Sequence, residues 1–439
     1  MTAFFQSTNF RSWGGTTRPL HSIARPEHES ALPPLIAAAQ AAETRILAVG
    51  LGRSYGDSCL NSNGALIVMT NLRRLLHFDC DAGTLHAEAG VSLRELARVT
   101  LPRGFSIPVS PGTQHVTIGG AIANDVHGKN HAAAGTLGCH VRRLQLLRSD
   151  GVLRELKPGD PLFAATVGGL GLTGIITSAE IQLEPCRTSD MDVEDISFSG
   201  LSEFLGINHA SVTAFPYSAA WIDCAQLVAL RGIYSRGRQS GEGPLVPPGD
   251  NMGWKIPVEL PWSLVNHGTL RILNAVYYAA HRPNKGMRRV HMNSFLHPLD
   301  RIPEWNRLYG RRGFFQYQLV VPSSATAAIL ECARQISKTD QRPSLAVLKA
   351  FGSRRSSGLL SFPMEGLTFA LDFPNKGLST LRLLERLDAV TREAKGRVYL
   401  AKDSRMSAQM IHSIYPRMEE FAAHVDPAFC SDLWKRARA

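Results

Sequence analysis

The sequence of 439 residues predicts an α+β protein built in two parts. In residues 1–189, short apolar runs alternate with glycine-rich turns and helices are few, which is typical of α+β folds rather than of a repeated βαβ unit. After Ser189 the order is strand, helix, strand, strand, helix, which predicts an antiparallel sheet with helices on one face. A hydrophobic share of 44% excludes wholesale disorder.

The first half begins with a helix over LPPLIAAAQAAE, which the segment 26–30 opens. Buried strands are predicted at ILAVG (46–50) and ALIVMTNL (65–72). GTLHAEAGV alternates as a strand does, and Ser92 is a suitable N-cap for the helix LRELARVTLPRG. The turn Ser149-Asp150-Gly151 predicts a hairpin within HVRRLQLLRSDGVLREL, and GIITSAEIQLEP is the last strand of this half.

The second half opens with a strand-like region at 190–235 that contains FPYSAAWIDC. Residues 236–255 are rich in glycine and proline, and they predict a mobile loop, a candidate lid or lipid-facing flap. FFQYQLVVP (Phe314–Pro322) and LTFALDFP (Leu367–Pro374) are strong strands. SATAAILECARQISKT and LSTLRLLERLDAVTREAKG are amphipathic helices.

Composition limits the partners and the location. The 48 Lys and Arg against 37 Asp and Glu give a net charge of +11, which indicates either a solvated basic surface or an anionic partner such as phosphate or acidic lipid. Nucleic acid is not expected, because no long basic run with interleaved aromatics occurs. Seven cysteines without a C-x-x-C pair argue against disulfides and a zinc ribbon, and no metal is expected. Without a secretory signal or an 18-residue apolar run, we expect a cytoplasmic protein.

Two glycine clusters are candidates for close approach to a ligand. Gly50-Leu-Gly52-Arg53-Ser54-Tyr55-Gly56 follows a strand, so its amides can converge on an anion while Arg53 adds a phosphate-compatible fork; the alternative is an ordinary tight turn. The second cluster, 111–130, joins Gly119-Gly120 to small residues and has hydroxyls at Thr113 and Thr117; the alternative is a packed glycine-alanine helix. A third cluster, Gly169–Gly174, has the form G-x-G-x-x-G, but a strand follows it instead of the helix that a Rossmann site requires.

VGLGRSYGD, SPGTQHVTIGGAIANDVHGKN and FAATVGGLGLTGII, in this order, resemble the FAD-binding domain of the vanillyl-alcohol-oxidase/PCMH flavoprotein superfamily. FFQYQLVVP, LKAFG, LSFP and YLAKDSRMSAQMIHSIYPR resemble its decaprenylphosphoryl-β-D-ribose 2-oxidase family. The resemblance implies a PCMH-type FAD-binding domain at 1–189, completed by 396–439, and a substrate-binding domain at 190–395. It also implies oxidation of the 2-hydroxyl of a polyprenylphosphoryl-β-D-ribose to the 2-keto sugar, the first half of an epimerisation to an arabinose donor.

The same resemblance implies several partners. These are a lipid-linked sugar phosphate as substrate, a separate NAD(P)H-dependent keto-reductase, and peripheral contact with the inner membrane. One alternative is a sugar or aldonolactone oxidase of the same superfamily. Another is a flavin-free binding protein that has kept the scaffold, against which the glycine clusters and Lys402 argue.

The cofactor residues are carried over by position. The resemblance assigns FAD contacts to Gly52, Arg53, Ser54, Tyr55, Gly56, Gly112, Thr113, Thr117, Gly119, Gly120, Ala123, His127, Gly174, Ile176 and Lys402. Many sugar-lactone oxidases of the superfamily link a histidine in the first glycine turn covalently to the flavin. That turn has no histidine here, so noncovalent FAD is expected.

The resemblance assigns catalytic roles to Lys402, His127 and Tyr55. Lys402 is either a base with a lowered pKa or a fixed charge that stabilises the reduced flavin; the alternative is a surface ion pair with Asp403. The sugar is assigned to Gln316, Gln318 and Lys349, and the two glutamines alternate on one strand face. Ala370 stands where mycobacterial-type enzymes carry a cysteine, which leaves the shape of the pocket wall open.

Overall fold

The computed structural model describes residues 3–249, 253, 256–281 and 286–439. The α+β prediction is confirmed: three main sheets are interleaved with helices. Within these ranges no helix is both long and apolar enough to cross a membrane.

The first sheet has four strands in the order β1-β2-β4-β3. β1 pairs antiparallel with β2, whereas β2 and β3 both run parallel to β4. Helix α1 packs against this sheet through Leu32, Leu35 and Ile36. The bounds are β1 Phe5–Ser7, β2 His21–Ala24, α1 Leu32–Ala41, β3 Ile46–Val49 and β4 Ala65–Val68.

The second sheet is antiparallel, in the order β5-β6-β10-β8-β9, and β7 and β11 form a separate small pair. As predicted, Ser92 caps α2, and Glu95 completes a capping box with it. The predicted hairpin at 149–151 joins β8 to β9. The bounds are β5 Leu75–Asp79, β6 Thr84–Glu88, α2 Leu93–Thr100, β7 Phe105–Ser106, α3 Ile118–Ala123, α4 His131–Ala134, β8 Val141–Leu147, β9 Leu153–Leu156, α5 Pro161–Thr166, β10 Ile175–Gln182 and β11 Glu184–Pro185.

The third sheet is antiparallel, in the order β15-β12-β14-β13-β17-β18-β16-β19. One face packs against helices, as predicted, because Tyr317, Leu319 and Phe373 share a buried cluster with residues of α9 and α10. The bounds are β12 Asp190–Ser199, α6 Leu201–Ser211, β13 Tyr217–Ile222, β14 Arg231–Gln239, α7 His267–His281, β15 Arg288–His291, α8 Met292–Leu296, β16 Phe314–Pro322, α9 Ala327–Ser337, β17 Leu345–Phe351, β18 Gly366–Pro374, α10 Leu378–Glu393, β19 Arg397–Val398, α11 Ala408–Ile414, α12 Met418–Ala422 and α13 Asp432–Ala437.

Two sequence predictions in the second half are corrected. The strand-like region 190–235 contains a helix, α6, whose Leu201 and Phe204 are buried under the sheet. The loop predicted at 236–255 begins later, because β14 continues to Gln239 and pairs with β12 along its whole length. Residues 250–252, 254 and 255 of that predicted loop lie outside the described residues.

The C-terminal segment contacts both halves of the chain. β19 extends the third sheet by pairing with β16, and Phe429 bridges to Ile46 at the edge of the first sheet. The division at 189/190 and 395/396 into a cofactor and a substrate domain stays a prediction. The arrangement does bring the polar face of the third sheet against the glycine turns of the first half.

Candidate active site

The first glycine turn is bound to the chain segment that carries Lys402. The backbone amides of Tyr55 and Gly56 donate to the carbonyl of Ala401, at 3.1 and 3.3 Å. A Cβ at Gly56 would overlap the carbonyl oxygen of Asp403, so the two segments approach more closely than any side chain permits. Lys402, at the end of the 3₁₀ turn Leu400–Lys402, is therefore held against a turn more than 340 positions earlier in the chain.

The second glycine segment contacts the first. Thr117 caps α3, since its hydroxyl accepts a hydrogen bond from the amide of Gly120 at 3.2 Å. A Cβ at Gly50 would overlap that same hydroxyl. Gly119 lies against Ala89, and its amide donates to the Ala89 carbonyl at 2.9 Å. The two sequence motifs thus form one continuous wall.

This wall offers buried polar atoms that lack a partner among the described residues. The Arg53 guanidinium stacks 3.9 Å from the ring centroid of Trp13, yet its Nε has no acceptor. The Asn124 Oδ1 and His127 Nδ1 atoms are also buried without a partner. Because an unpaired buried polar atom is costly, these atoms fit a polar ligand such as FAD on this wall.

The remaining predicted cofactor residues occupy the same region. Gly52 has φ +65° and Gly112 has open space around its Cβ position, so both suit close approach to a ligand. The Ser54 backbone carbonyl accepts a hydrogen bond from the Trp13 amide at 2.7 Å, and the Thr113 hydroxyl accepts one from the His115 amide at 3.1 Å. Ala123 is buried on α3.

Gly174 and Ile176 lie where β10 passes beneath α3. Ile176 belongs to the buried cluster that also holds Ile118 and Ile122 of α3. Gly174 has φ +144° and packs against Leu146. Both are packed beneath the wall, and their contact with FAD stays a prediction.

Lys402, Gln316 and Asp372 form a hydrogen-bonded chain. The Lys402 amine donates to Gln316 Oε1, and Gln316 Nε2 donates to Asp372 Oδ1. Gln316 and Asp372 are paired across β16 and β18, so the sheet register sets this contact. Asp372 Oδ2 has no partner within the described part of the chain. Asp372 was not predicted; the sequence signal was a carboxylate on the same alternation as the glutamines in an otherwise apolar strand.

Burial shifts the pKa values of Lys402 and Asp372, the two ends of this hydrogen-bonded chain, toward 7. The pKa of the Lys402 amine is lowered to about 7, first by burial and then by the charge of Lys349, while Asp372 opposes the shift. The pKa of Asp372 is raised to about 7 because burial disfavours the carboxylate, against the hydrogen bond from Gln316 and the charge of Lys402. The Lys402 amine and the Asp372 carboxyl therefore have similar pKa values, with the Gln316 amide between them.

Tyr55 closes one side of the site. Its ring centroid is 5.0 Å from the Lys402 nitrogen and 5.6 Å from the ring of Phe314. Burial raises the pKa of the Tyr55 phenol, Asp372 raises it further, and a hydrogen bond with Gln316 acts in the opposite direction. Tyr55 therefore stays protonated and neutral beside the amine.

His127 is fixed by the second glutamine. Gln318 Nε2 lies 3.1 Å from His127 Nε2 and 2.9 Å from the Thr368 hydroxyl. Because an amide nitrogen can only donate, His127 Nε2 accepts and the ring proton sits on Nδ1, the atom without a partner. Burial, then the charges of Lys349 and Lys402, lower the pKa of His127 well below its usual value. His127 thus presents a neutral N–H donor.

Two further lysines add basic groups to this region. Burial lowers the pKa of Lys349 on β17 to about 8. Lys129 donates to the carbonyl of Phe295, and its pKa is lowered to about 7 by burial and by Lys349. Lys129 was not predicted, although it follows His127 within the quoted motif. Among the described residues, three lysines lie in this region, with Asp372 opposing the pKa shift of Lys402 and Asp195 that of Lys129, so basic groups predominate and an anionic ligand is favoured.

The third sheet thus supplies one polar wall. Gln316, Gln318 and Lys349 are brought together because Lys349 pairs with Thr368 and the glutamines pair with Asp372 and Ala370 on the same face of β18. Ala370 leaves no side chain beyond Cβ beside Gln318. The wall stands opposite the glycine wall, with Lys402 between them.

Comparison with known proteins finds one matching family and three similar proteins. Residues 21–157 match the family of FAD-binding domains. A decaprenylphosphoryl-β-D-ribose oxidase of Mycolicibacterium smegmatis is 36% identical over an alignment that covers 99% of each protein. An uncharacterised protein of Streptomyces coelicolor is 29% identical over 79% of this chain and 99% of its own, and an L-gulono-1,4-lactone dehydrogenase of Mycobacterium tuberculosis is 31% identical over 45% and 46%.

Proposed function

The chain belongs to the decaprenylphosphoryl-β-D-ribose oxidase family of FAD-dependent oxidoreductases, and on that premise we propose that it oxidises the 2-hydroxyl of a polyprenylphosphoryl-β-D-ribose to the 2-keto sugar. The observation that carries the proposal is the partly buried Lys402 amine, which lies between the glycine wall and the polar sheet face and has a pKa lowered to about 7. The 2-keto product then requires a separate NAD(P)H-dependent keto-reductase to complete the epimerisation.

Each residue has a distinct task in this proposal. Bound FAD supplies the hydride acceptor for the alcohol carbon. Neutral Lys402 accepts the hydroxyl proton, and Gln316 holds its nitrogen in place. His127 offers its Nδ1 proton to a substrate oxygen. Lys349 and Lys129 are the basic groups available to pair with the phosphoryl group.

The proposed FAD residues are the two glycine segments. Gly52, Arg53, Ser54, Tyr55 and Gly56 would hold one side, with the free Arg53 Nε available for a cofactor oxygen. Gly112, Thr113, Thr117, Gly119, Gly120, Ala123 and His127 would hold the other, with Gly174 and Ile176 near the adenine and Lys402 near the ring. Open space at Gly112 supports this assignment.

The test of the function is anaerobic flavin reduction in a stopped-flow spectrometer. Prenylphosphoryl-β-D-ribose should bleach the flavin band near 450 nm after anaerobic mixing, whereas L-gulono- and D-arabinono-lactones should not. Prenylphosphoryl-β-D-arabinose is the matched control, because it differs only in the configuration at C2. Faster bleaching by a lactone would establish the alternative, an aldonolactone oxidase; the relative of that kind aligns with under half of this chain.

We further propose that the FAD is noncovalent, because the turn Gly50–Gly56 has no histidine to link it. Acid precipitation of the holoprotein should leave all the flavin absorbance in the supernatant. The pellet, digested and washed, should show no flavin fluorescence. A yellow pellet would contradict the proposal and would direct attention to another attachment residue.

A further inference from the structure

One stretch of surface exposes large apolar side chains. In residues 256–281, Trp262, Ile272 and Val276 are 66%, 67% and 62% exposed, and Val258 and Leu264 are also exposed. We call these five residues the outer apolar face. Large exposed apolar patches mark interaction surfaces, and this one segment holds five such side chains, with Ile272 and Val276 one helical turn apart on α7.

The outer apolar face is anchored, so its exposure is built into the fold. On its inner side α7 buries Leu270 and Asn274, and Tyr277 packs 4.7 Å from the ring of Trp221. Before α7, the Leu264 amide donates to the Leu308 carbonyl at 2.9 Å, and the Thr269 hydroxyl donates to the Leu264 carbonyl at 3.0 Å. The segment 256–266, which we call the strap, is thus hydrogen-bonded to α7 and to Leu308, while the five apolar side chains stay exposed.

Arginines predominate around this face, and the carboxylate of Glu259, between Val258 and Leu260, is paired with Arg11 and Arg18. From Leu260 to Leu299 the sequence has no Asp or Glu and five Lys or Arg. Two of these, Arg288 and Arg289, pair with Asp195 and Asp192 of β12, but Arg271 on α7 is exposed. Arg311 and Arg312 are exposed as well, and the Arg311 amide donates to the Leu260 carbonyl at 3.0 Å. The apolar face therefore has a basic rim.

The exposed apolar side chains and the basic rim together indicate the kind of partner. A second copy of the chain would bring two basic rims together, and a nucleic acid would leave Trp262, Ile272 and Val276 without apolar contacts. An anionic bilayer satisfies both properties, because apolar side chains enter the interfacial region while arginines meet lipid phosphates.

The face also lies one layer of side chains from the active site. Trp305, in the turn that ends at Tyr309, is 6.4 Å from the ring of Tyr55 and 5.7 Å from that of Trp13. The same turn carries Leu308, the hydrogen-bond partner of the strap. Attachment here would place the Tyr55 side of the site next to the lipid.

We propose that residues 256–281 dock onto an anionic bilayer, with Trp262, Ile272 and Val276 in the interface and Arg271, Arg311 and Arg312 at the headgroups. The inference deepens the proposed function, which requires access to a lipid-linked sugar, and it names the surface that provides that access. Its test does not depend on turnover.

The experiment is cosedimentation of the holoprotein with vesicles at low salt. Vesicles of phosphatidylcholine with phosphatidylglycerol should bind the protein, and phosphatidylcholine alone should bind it at least about tenfold more weakly. The triple variant Trp262→Ser, Ile272→Ser, Val276→Ser should lose about tenfold or more of the partitioning. A triple variant at Val152→Ser, Leu153→Ser and Leu378→Ser, exposed apolar sites elsewhere, is the matched control and should bind like the parent.

A second readout follows tryptophan quenching by brominated phosphatidylglycerol, which should disappear in Trp262→Phe. Equal vesicle binding by parent and face variant would overturn the proposal, as would an absence of binding. Self-association that the face variant abolishes would assign the surface to a second copy instead. Flavin reduction by detergent-dispersed substrate should be equal in both triple variants, so failure of the proposed chemistry and failure of membrane docking are separate results.

Discussion

Replacing Lys402 by methionine should slow flavin reduction by about 10²- to 10⁴-fold, the range that a positioned general base contributes. The side chain keeps nearly its length but loses the amine that Gln316 orients. FAD should remain bound, because the glycine walls stay in place. Stopped-flow reduction under anaerobic conditions measures the rate, and the ratio of flavin to protein absorbance measures occupancy. Lys338→Met, at an exposed position, is the control and should react like the parent.

The pH profile and an arginine variant separate the two roles open to Lys402. With its pKa lowered to about 7, the amine is protonated below that value, so a base mechanism loses rate about tenfold per pH unit as the pH falls. Lys402→Arg keeps the positive charge but cannot deprotonate, and it should be as slow as Lys402→Met. If the arginine variant reacts near the parental rate, or if the rate declines above pH 7 instead, Lys402 acts as a fixed charge.

The elements that could be predicted from the sequence are those with strong local patterns. The strand Phe314–Pro322 and the capped helix after Ser92 appear as expected, because alternation and capping residues are local signals. The helix α6 was missed, because its sequence is only weakly amphipathic and its burial against β12 is a tertiary effect. The start of the loop, predicted at 236, was misplaced for a similar reason, since pairing with β12 decides where β14 stops.

The site residues likewise divide into those that the sequence motifs predicted and those that only the tertiary structure brings into the site. The motif pointed to Lys402, Tyr55 and His127, and the structure brings all three close to the polar face of β16. The partner Asp372 depends on the register between β16 and β18, which single-sequence patterns do not specify. The contact of Gly56 with Asp403 is likewise invisible in sequence, because it joins distant segments through backbone alone.

The close contact between Gly56 and Asp403 predicts a second large mutational effect. Gly56→Ala should destabilise the protein by about 1–3 kcal/mol, the usual cost of overpacking, since its Cβ would overlap the Asp403 carbonyl. Because Lys402 precedes Asp403, the displaced segment should also lower the rate of flavin reduction by about 10²-fold, the scale of a misplacement near 1 Å. Urea unfolding of the holoprotein and anaerobic reduction kinetics measure the two effects.

The backbone at Gly56 has φ −93°, which alanine adopts without strain, so the predicted loss comes from contact and not from conformation. Gly206→Ala on α6 is the matched control: no atom lies within 4 Å of its Cβ position, and a helical glycine replaced by alanine should gain about 0.5–1 kcal/mol. If Gly56→Ala keeps both parental stability and rate, the first glycine turn does not set the position of Lys402. If stability falls but the rate per bound flavin is unchanged, the contact holds the fold without orienting the amine.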